Sequence, residues 1–523
     1  MQPGSLLLNE WLMIITFAAG MIAWGFVMRR RAASSLSASF LADRKVPGFI
    51  ASLSTVATNM NANDFIGMAG AVYGVGIVMM HQQFINALVL VFVGLVLMRK
   101  LRGRNAYSLG QWLRERYNAR IGSAYSVIWA FVWMLFNLGL YIYSGALVMH
   151  TLVGWDLYVG IVVLSIIAAL YTLLGGFGAV VATDVIQMLL MFFPFIILAG
   201  IVWMEVGGPI ELLQSLPAEK ADLWHSPTPF GPLGLTLGGM TLIAMSYWSS
   251  EAQVVQRPLS ARNPDEAAIS YMGASFWYAL LVPLVVFLPA MAAIQLYPGL
   301  PNNDFATPSL MRDFIPPGLY GITIVGLLAG VFSSCDSQIN AFCTIFTTDI
   351  YKGMLRKNAS DRQMLRVSKI AGVIFTLAAI STAVIFSFAK DGMFLFAVGI
   401  VATIMPPFGA IAIWGALWRK ASPRAAQVAL VTGMLFAATL FVLDWTGNLK
   451  QIAQDTLFLR SGATFLLTSA VLLLMSSFDN YHDTLQPHDS DDDAQKSGTN
   501  PRKLAIALVL AVILMYLVAS LLR

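Results

Sequence analysis

The sequence predicts an all-α polytopic membrane protein, from its composition, its long apolar runs and the placement of its basic residues. Of the 523 residues, 58% are hydrophobic and 11% are charged, whereas soluble proteins carry roughly 25% charged residues. Apolar runs long enough to cross a bilayer as helices alternate with short polar connections. The short alternating strands of a membrane β-barrel are absent from this pattern. The predicted fold is therefore a bundle of about fourteen transmembrane helices.

Basic residues at the helix ends predict the orientation of the chain. The first predicted helix, near residues 9–28, is followed by Arg29, Arg30 and Arg31 and has few positive charges before it. The positive-inside rule therefore places the N-terminus outside, and an even number of crossings places the C-terminus outside as well. The net charge of +5 reflects these inner loops, so no nucleic-acid partner is predicted.

Two of the predicted helices are interrupted near their centres. Residues 48–73 contain AlaThrAsnMetAsnAlaAsnAsp (57–64), and residues 232–256 contain SerTyrTrpSerSerGluAlaGln (246–253). Polar groups at the middle of a spanning segment are typical of a broken helix whose free backbone lines a cavity. The other predicted helices lie near 75–98, 122–151, 156–174, a span ending near 205, 268–295, a span containing 329–352, 370–388, 393–417, 425–444, 457–477 and 503–522.

The spacing of the two interrupted helices predicts an inverted repeat of five helices and five. The two helices begin on opposite sides of the membrane, and broken helices in corresponding positions of two repeats mark the binding site of a transporter. The predicted units are residues 1–47, the first repeat with its outer loop at 48–230, the second repeat at 231–420, and the C-terminal helices at 421–523. An acidic linker at 478–502 is predicted to be disordered on the inner side.

A polar stripe marks the helix that contains residues 329–352. Ser333, Ser334, Ser337, Asn340 and Thr344 follow Gly330 by three, four, seven, ten and fourteen residues, which places them on one helix face. Their oxygens suit a small hard cation, and the alternative is that small residues allow two helices to pack closely. An aspartate at position 184 is a second intramembrane candidate, and its alternative role is a hydrogen bond between helices.

Four motifs resemble those of the sodium/solute symporters, a family that includes sodium/glucose, sodium/proline and sodium/sialic acid transporters. The stretches 57–67, 175–187, 255–262 and 333–352 are similar to the family's helix-1 break, helix-5 entry, helix-6 exit and helix-8 signature. The resemblance covers roughly residues 40–480 in consistent order. It implies a LeuT-like five-plus-five bundle with extra N- and C-terminal helices, and sodium-coupled symport.

The resemblance also implies a main sodium site. In this family, backbone carbonyls at the helix-1 break and hydroxyls of helix 8 bind the ion, and oxygen ligands suit such a hard cation. The matching residues here are Ala57 and Met60 at the break, and Gly330, Ser333 and Ser334 on the later helix. Gly330 stands where an alanine is common, and a carbonyl ligand survives that change.

A second sodium site, present in some members of the family, has matching residues in this chain. They are Asp184 together with Ser333 and Ser337. Asp336 stands where those members carry another serine, and an added carboxylate either strengthens the site or binds a proton. The number of sodium ions in one transport cycle is therefore left open by the sequence.

The candidate substrate residues lie near the two interruptions and on the helix that follows the first. Polyols and sugars suit carboxylate acceptors, and a cationic or zwitterionic solute also suits the two carboxylates of Asp64 and Glu251. The sequence does not separate these solutes. A simple anion such as a short-chain carboxylate is disfavoured. The aromatic candidates have ordinary core packing as their alternative. The candidate residues are Asp64, Gln83, Asn86, Tyr247, Trp248 and Glu251.

The predicted function is the import of a small polar organic solute coupled to Na⁺, in a bacterial-type inner membrane. The predicted partners are the solute, the sodium ion and the lipid bilayer, with no obligate protein partner. An enzyme is not predicted. A membrane sensor on the same fold is disfavoured because no ATP-binding motif or phosphoacceptor domain is present. A channel is disfavoured because the sequence has no filter-like repeat and because the paired breaks indicate alternating access. A primary pump is disfavoured because the sequence has no phosphate-binding GxxxxGK[ST] loop.

Overall fold

The computed structural model describes residues 6–224, 239–388, 393–449, 456–479, 481 and 499–521. Within these ranges the regular elements are helices, and no β-strand is present. One isolated bridge joins Val46 to Ala261, where the amide of Val46 donates to the carbonyl of Ser260 at 3.2 Å. The start of the predicted helix at 232–256 and most of the predicted linker at 478–502 lie outside the described residues.

The principal helices of the described chain form the bundle around the two interruptions. Most carry apolar residues on every face, as expected for helices that contact either lipid or other helices. In chain order they are α1 Leu8–Ala32, α2 Gly48–Asn59, α3 Ala69–Val75, α4 Met80–Val93, α5 Met134–Val148, α6 Leu157–Glu205, α7 Gly239–Ser250, α8 Ala252–Leu259, α9 Pro264–Val282, α10 Tyr320–Ile345, α11 Asp361–Phe386, α12 Met393–Leu417, α13 Pro423–Trp445, α14 Thr456–Phe478 and α15 Pro501–Leu521.

Shorter helical segments connect or extend these helices. Several are π-helical turns that continue a longer helix. The α-helical segments are Leu36–Leu41, Arg99–Gly103, Leu109–Arg116, Ala119–Ile128, Pro209–Ser215, Ala218–Ala221, Leu288–Leu296 and Ala306–Phe314; the π-helical ones are Asp64–Met68, Gly94–Met98, Trp129–Trp133, Met149–Val153, Pro283–Phe287 and Phe346–Leu355; the 3₁₀ turns are Ala42–Arg44, Gly76–Met79 and Asn303–Phe305.

Eleven helices of the described residues are long and apolar enough to cross a membrane, so the chain is a multi-pass membrane protein. The prediction of about fourteen crossings differs for two reasons. Two predicted helices lie within α6, where the chain bends at Gly176 (φ 63°, ψ −174°). The first interrupted helix is divided between the 12-residue α2 and the start of the span Asp64–Gly103, and the described part of the second is divided between the 12-residue α7 and the 8-residue α8, so neither is counted as a separate span.

Helix α10 lies at the centre of the bundle, and α1 and α15 lie at its edge. We compare the fraction of buried residues in the most apolar stretch of each span. This fraction is 94% for the span that contains α10, 17% for α1 and 22% for the span within α15. Helix α10 packs against α6, α5 and α2. The polar stripe on α10 therefore faces other helices, as hydroxyl groups at membrane depth require.

Candidate functional site

The first interruption follows the last residue of α2. Met60 has an extended backbone conformation (φ −100°, ψ 127°). The amide of Asn61 donates to Asp64 Oδ2 at 2.9 Å and not to the carbonyl of Ala57, its partner in a continuous helix. Asn61 Oδ1 accepts from the amide of Asn63 at 2.9 Å, so these two side chains cap the segment that follows. Within the described chain, the carbonyl of Ala57 is therefore released from the helix.

The second interruption separates α7 from α8 at Glu251, whose backbone is extended (φ −68°, ψ 111°). The Glu251 carboxylate is fully buried and accepts a hydrogen bond from the indole N–H of Trp133. Its Oε1 has no hydrogen-bond partner among the described residues. Gln253 Nε2 and Asn137 Nδ2 both donate to the hydroxyl of Tyr141, at 2.9 Å and 3.0 Å. The second break is thus connected through side chains to helix α5.

A cavity of about 180 Å³ lies between the first break and α7. Asp64 is the only charged residue among the described residues that line it. Most of the other lining side chains are carboxamides, aromatic rings or apolar groups. The carboxamides are those of Asn59, Asn61, Asn63, Gln82, Gln83, Asn86 and Asn137, and the aromatic side chains are those of Trp133, Tyr141, Tyr247, Trp248, Tyr278 and Phe458.

Several of the amide groups have hydrogen-bonding capacity that no described residue uses. The buried oxygens Asn63 Oδ1, Gln82 Oε1 and Gln83 Oε1 have no partner within the described chain. Other lining groups are held in place, since Trp248 Nε1 donates to Asn86 Oδ1 at 2.8 Å. Buried polar groups normally find a partner, so these three oxygens mark positions where a solute or water donates a hydrogen bond.

Five of the six candidate substrate residues line this cavity, and the sixth lies behind it. The five are Asp64, Gln83, Asn86, Tyr247 and Trp248. Glu251 is not among the lining residues, because the indole of Trp133, which does line the cavity, covers one of its oxygens.

Several lining residues were missed because they lie on helices that appeared in the sequence as ordinary apolar spans. Asn137 and Tyr141 are four residues apart on α5 and therefore share a face, which was the available signal. Trp133 lies one turn before them, and Tyr278 comes from α9. Asn59 also lines the cavity; it belongs to the interrupted stretch 57–64 but is not among the six candidate substrate residues.

The residues of the implied main sodium site meet where α10 passes the first break. Ser334 Oγ donates to the carbonyl of Thr58 at 2.8 Å. A Cβ atom added to Gly330 would lie 3.0 Å from the carbonyl oxygen of Met60, so the two backbones approach each other closely at this glycine. Ala57 is fully buried at the end of α2. The hydroxyl of Ser333 points instead to Asp184 Oδ1, at 2.5 Å.

Asp184 forms a buried ion pair with Arg257. The distance from Arg257 Nη2 to Asp184 Oδ2 is 3.1 Å, and both side chains are 0% exposed. Arg257 Nε also donates to Ser54 Oγ at 3.1 Å, and Ser54 Oγ lies 2.5 Å from Asp184 Oδ2. Arg257 Nη2 donates to the hydroxyl of Ser337 as well. The guanidinium therefore contacts Asp184 and Ser337 of the implied second sodium site. The sequence pattern did not predict this role for Arg257.

Asp336 lies beside this ion pair. Its Oδ2 accepts from the hydroxyl of Tyr171 at 2.5 Å, and its Oδ1 lies 3.0 Å from Ser337 Oγ. The side chain is fully buried. Two carboxylates and one guanidinium thus share a water-excluded cluster of hydroxyl groups that joins α2, α6, α8 and α10.

A helical bundle with two interrupted helices that meet at a polar, aromatic-walled cavity is the architecture of a membrane transporter for a small solute. Residues 39–433 match the sequence model of the sodium:solute symporter family, and the chain belongs to that family. It is a sodium-coupled symporter of small polar solutes, with sodium as the coupling ion.

Individual relatives agree with this family. The chain is 26% identical over 434 residues to the sodium/glucose cotransporter of Vibrio parahaemolyticus, a match that covers 77% of this chain and 78% of the relative. It is 27% identical over 482 residues to the sodium/myo-inositol cotransporter 2 of Mus musculus, with coverages of 85% and 71%.

Solved structures confirm the predicted fold. The substrate-bound, outward-open structure of a Na⁺-coupled sialic acid symporter matches 92% of this chain and 100% of its own, with a TM-score of 0.79 at 19% identity. Mhp1, a transporter of the nucleobase-cation-symport-1 family, matches 87% of this chain and 98% of its own, with a TM-score of 0.57 at 14% identity. The LeuT-like architecture that the family resemblance implies is therefore confirmed.

Proposed function

We propose that this symporter imports a neutral polyhydroxy solute, a sugar or polyol, together with sodium. The lining of the cavity carries this proposal: seven carboxamides, one carboxylate and no basic side chain among the described residues. The relatives named above are cotransporters for glucose and myo-inositol, which belong to this class of solute.

The chemistry of the lining fits hydroxyl groups better than ions. A hydroxyl group both donates and accepts a hydrogen bond, and a carboxamide offers both partners in fixed directions. The three unpartnered amide oxygens of Asn63, Gln82 and Gln83 accept from hydroxyl groups. The rings of Tyr247 and Trp248 supply flat apolar surface for the C–H face of a sugar or cyclitol. The volume of about 180 Å³ is below the ~300–1,000 Å³ of typical drug-sized pockets, as a small solute requires.

Sodium and solute are coupled in this proposal through the first break. The proposed sodium ligands are the carbonyls of Ala57, Met60 and Gly330 and the hydroxyls of Ser333 and Ser334. The carbonyl oxygen of Met60 lies close to Gly330 on α10. A cation at these oxygens holds the broken backbone in one conformation and so pre-forms the solute cavity on its other side. This is the differential binding that alternating access needs.

The proposed second sodium site at Asp184 and Ser337 has a further requirement. Arg257 donates hydrogen bonds to both side chains, so a second ion binds there only after the guanidinium has moved away. Asp336, which contacts Ser337, either adds a ligand to this site or binds a proton. We therefore expect the occupancy of this site to depend on the conformation of α8.

We also propose the orientation and the division of the chain. The basic inner loops place both termini outside in a bacterial-type inner membrane. The two repeats occupy residues 48–230 and 231–420, between the N-terminal unit 1–47 and the C-terminal unit 421–523.

A second candidate solute is cationic or zwitterionic, and the carboxylate of Asp64 in the cavity is the observation that favours it. One oxygen of this carboxylate already accepts from the amide of Asn61. Because Glu251 does not line the cavity, the pair of carboxylates that would recognise a strongly cationic solute is reduced to one.

Uptake into proteoliposomes tests the proposal. The purified chain is reconstituted, and radiolabelled glucose, myo-inositol, sialic acid, proline and a short-chain carboxylate are compared with and without an inward sodium gradient. We expect sodium-driven uptake of a neutral polyhydroxy compound. Sodium-driven uptake of the carboxylate or of proline, without uptake of any neutral polyhydroxy compound, would overturn the proposed solute class.

A variant of one amide sharpens the assignment of the site. Replacing Gln83 by Leu removes an unpartnered acceptor from the cavity, and the loss of one hydrogen bond worth about 0.5–1.5 kcal/mol weakens solute affinity roughly 2- to 10-fold. The matched control is Gln214→Leu, which changes an exposed glutamine outside the cavity. Equal solute affinities of the two variants would argue against this cavity as the binding site.

A further inference from the structure

A second cavity lies at the end of the molecule where α1 ends and α11 begins. Its volume is about 230 Å³. Residues from α1, α6, α10 and α11 form its walls, among them Ala32, Thr172 and Asn340. It is separate from the solute cavity, with which it shares no lining residue.

Three cationic side chains of α11 line this cavity. Arg362, Arg366 and Lys369 follow each other at intervals of four and three residues, so they project from one face of the helix. All three are exposed, and no acidic residue is among the described residues of the lining. Within the described chain, none of the three forms an ion pair. The lining of the cavity thus carries three positive charges and, among its described residues, no negative charge.

An adjacent cavity has the same character on the other side of Ala32. Its volume is about 210 Å³, and its charged lining residues are Arg31 and Lys45, again without an acidic residue among the described lining. The inner end of α1 is therefore flanked by two hollows whose charged groups are all cations. The positive-inside rule explains basic residues at this face but does not explain why they line cavities.

Exposed apolar side chains continue from the basic cavity along the membrane-spanning part of the same helix. Ile370, Ile374 and Leu377 on α11 are 62%, 61% and 61% exposed, and they begin one residue after Lys369. On α1, Val27 is 68% exposed and lies two residues before Arg29, the first of the three arginines at the end of that helix. A phosphate group at the cations would leave room for acyl chains along these two apolar strips.

We propose that the cavity between α1 and α11 binds the phosphate headgroup of an anionic phospholipid, with its acyl chains against α1 and α11. This inference goes beyond solute transport and uses the orientation proposed above, in which the cavity opens to the inner leaflet. Basic pockets between membrane helices at the inner surface bind such headgroups. The alternative occupants are free phosphate and the acidic run at 489–493 of this chain.

Lipid binding to the full-length purified chain tests the proposal. The protein is delipidated in detergent, and native mass spectrometry follows retention of phosphatidylglycerol against phosphatidylcholine of the same acyl length. The test variant is R362Q/R366Q/K369Q. The matched control is K352Q/R356Q/K357Q, which removes the same charge from exposed residues outside the cavity.

We expect the wild type to prefer phosphatidylglycerol, and the cavity variant to bind it about 10- to 100-fold more weakly, as expected for the loss of three nearby cations. The control variant should lose less than about threefold in affinity, as expected for more distant charges.

Equal losses in both variants would overturn the proposal, because only general surface charge would then be involved. Competition by inorganic phosphate at the concentrations where phosphatidylglycerol binds would also overturn it. A variant in which the aspartates of 489–493 are asparagines should bind lipid as the wild type does; a large gain in its lipid affinity would identify that run as the occupant.

Discussion

The ion pair between Asp184 and Arg257 is expected to be among the most strongly coupled contacts of the described chain. Both side chains are 0% exposed at a separation of 3.1 Å, and two hydroxyl groups complete the hydrogen bonds of the carboxylate. Removing one partner of such a pair leaves an uncompensated buried charge, which costs about 3–5 kcal/mol. We therefore expect Asp184→Asn and Arg257→Met each to lower the free energy of unfolding by about that amount.

The double variant separates a coupled pair from two independent losses. With both charges of the pair removed, neither side chain of the pair is left as a buried charge without its partner, so the double variant should be more stable than the sum of the single losses predicts, by about 2–3 kcal/mol. The measurement is the free energy of unfolding in mixed micelles by titration with dodecyl sulfate, followed by circular dichroism.

The exposed pair of Arg312 and Asp313 is the matched control for this cycle. Its atoms are 2.6 Å apart, but the side chains are 54% and 38% exposed, so solvent screening should hold its coupling below about 1 kcal/mol. A coupling energy at Asp184–Arg257 no larger than that of the control would refute the reasoning, because the buried carboxylate would then have another cation as its partner.

Three further predictions concern the ion, the solute and the orientation. Ser334→Ala should raise the sodium concentration for half-maximal uptake about 5- to 150-fold, since an unmet ligand position costs about 1–3 kcal/mol; an unchanged value in a folded variant would remove Ser334 from the sodium site. Asp64→Asn should weaken the affinity for a polyhydroxy solute by less than about tenfold, because the amide still accepts a hydrogen bond, whereas a much larger loss in equilibrium binding would indicate that a cationic group is recognised. A reporter inserted in the 482–498 linker should be cytoplasmic and one fused after Arg523 external, and a cytoplasmic C-terminus would show that the number of crossings is odd.

The two broken helices could be located from the sequence because polar residues within an apolar span have few compatible environments. At membrane depth, amides and carboxylates must face protein or water, so the stretches around Asn61 and Glu251 indicated the breaks. The structure places breaks at both positions. The polar stripe from Gly330 to Thr344 was visible for the same reason, and all of its members are buried.

The partners of the charged groups required the tertiary structure. Arg257 lies 73 residues from Asp184 along the chain, and nothing in the local pattern of either stretch indicates that the two side chains meet. The resemblance to sodium symporters implies that Asp184 and Ser337 are ion ligands. The packing of α8 against α2, α6 and α10 adds a guanidinium at the same place.

The sequence by itself determined the membrane class, the two breaks and the helix that carries the hydroxyl stripe, because each follows from the cost of placing polar groups in lipid. Only the tertiary structure decided which polar groups face one another. Asp64 and Glu251 are equivalent in the sequence, each beside a break, yet Asp64 lines the cavity and Glu251 lies behind the indole of Trp133. That difference depends on how α5 packs across the second break, and contacts between helices distant in sequence leave no periodic signal in either helix.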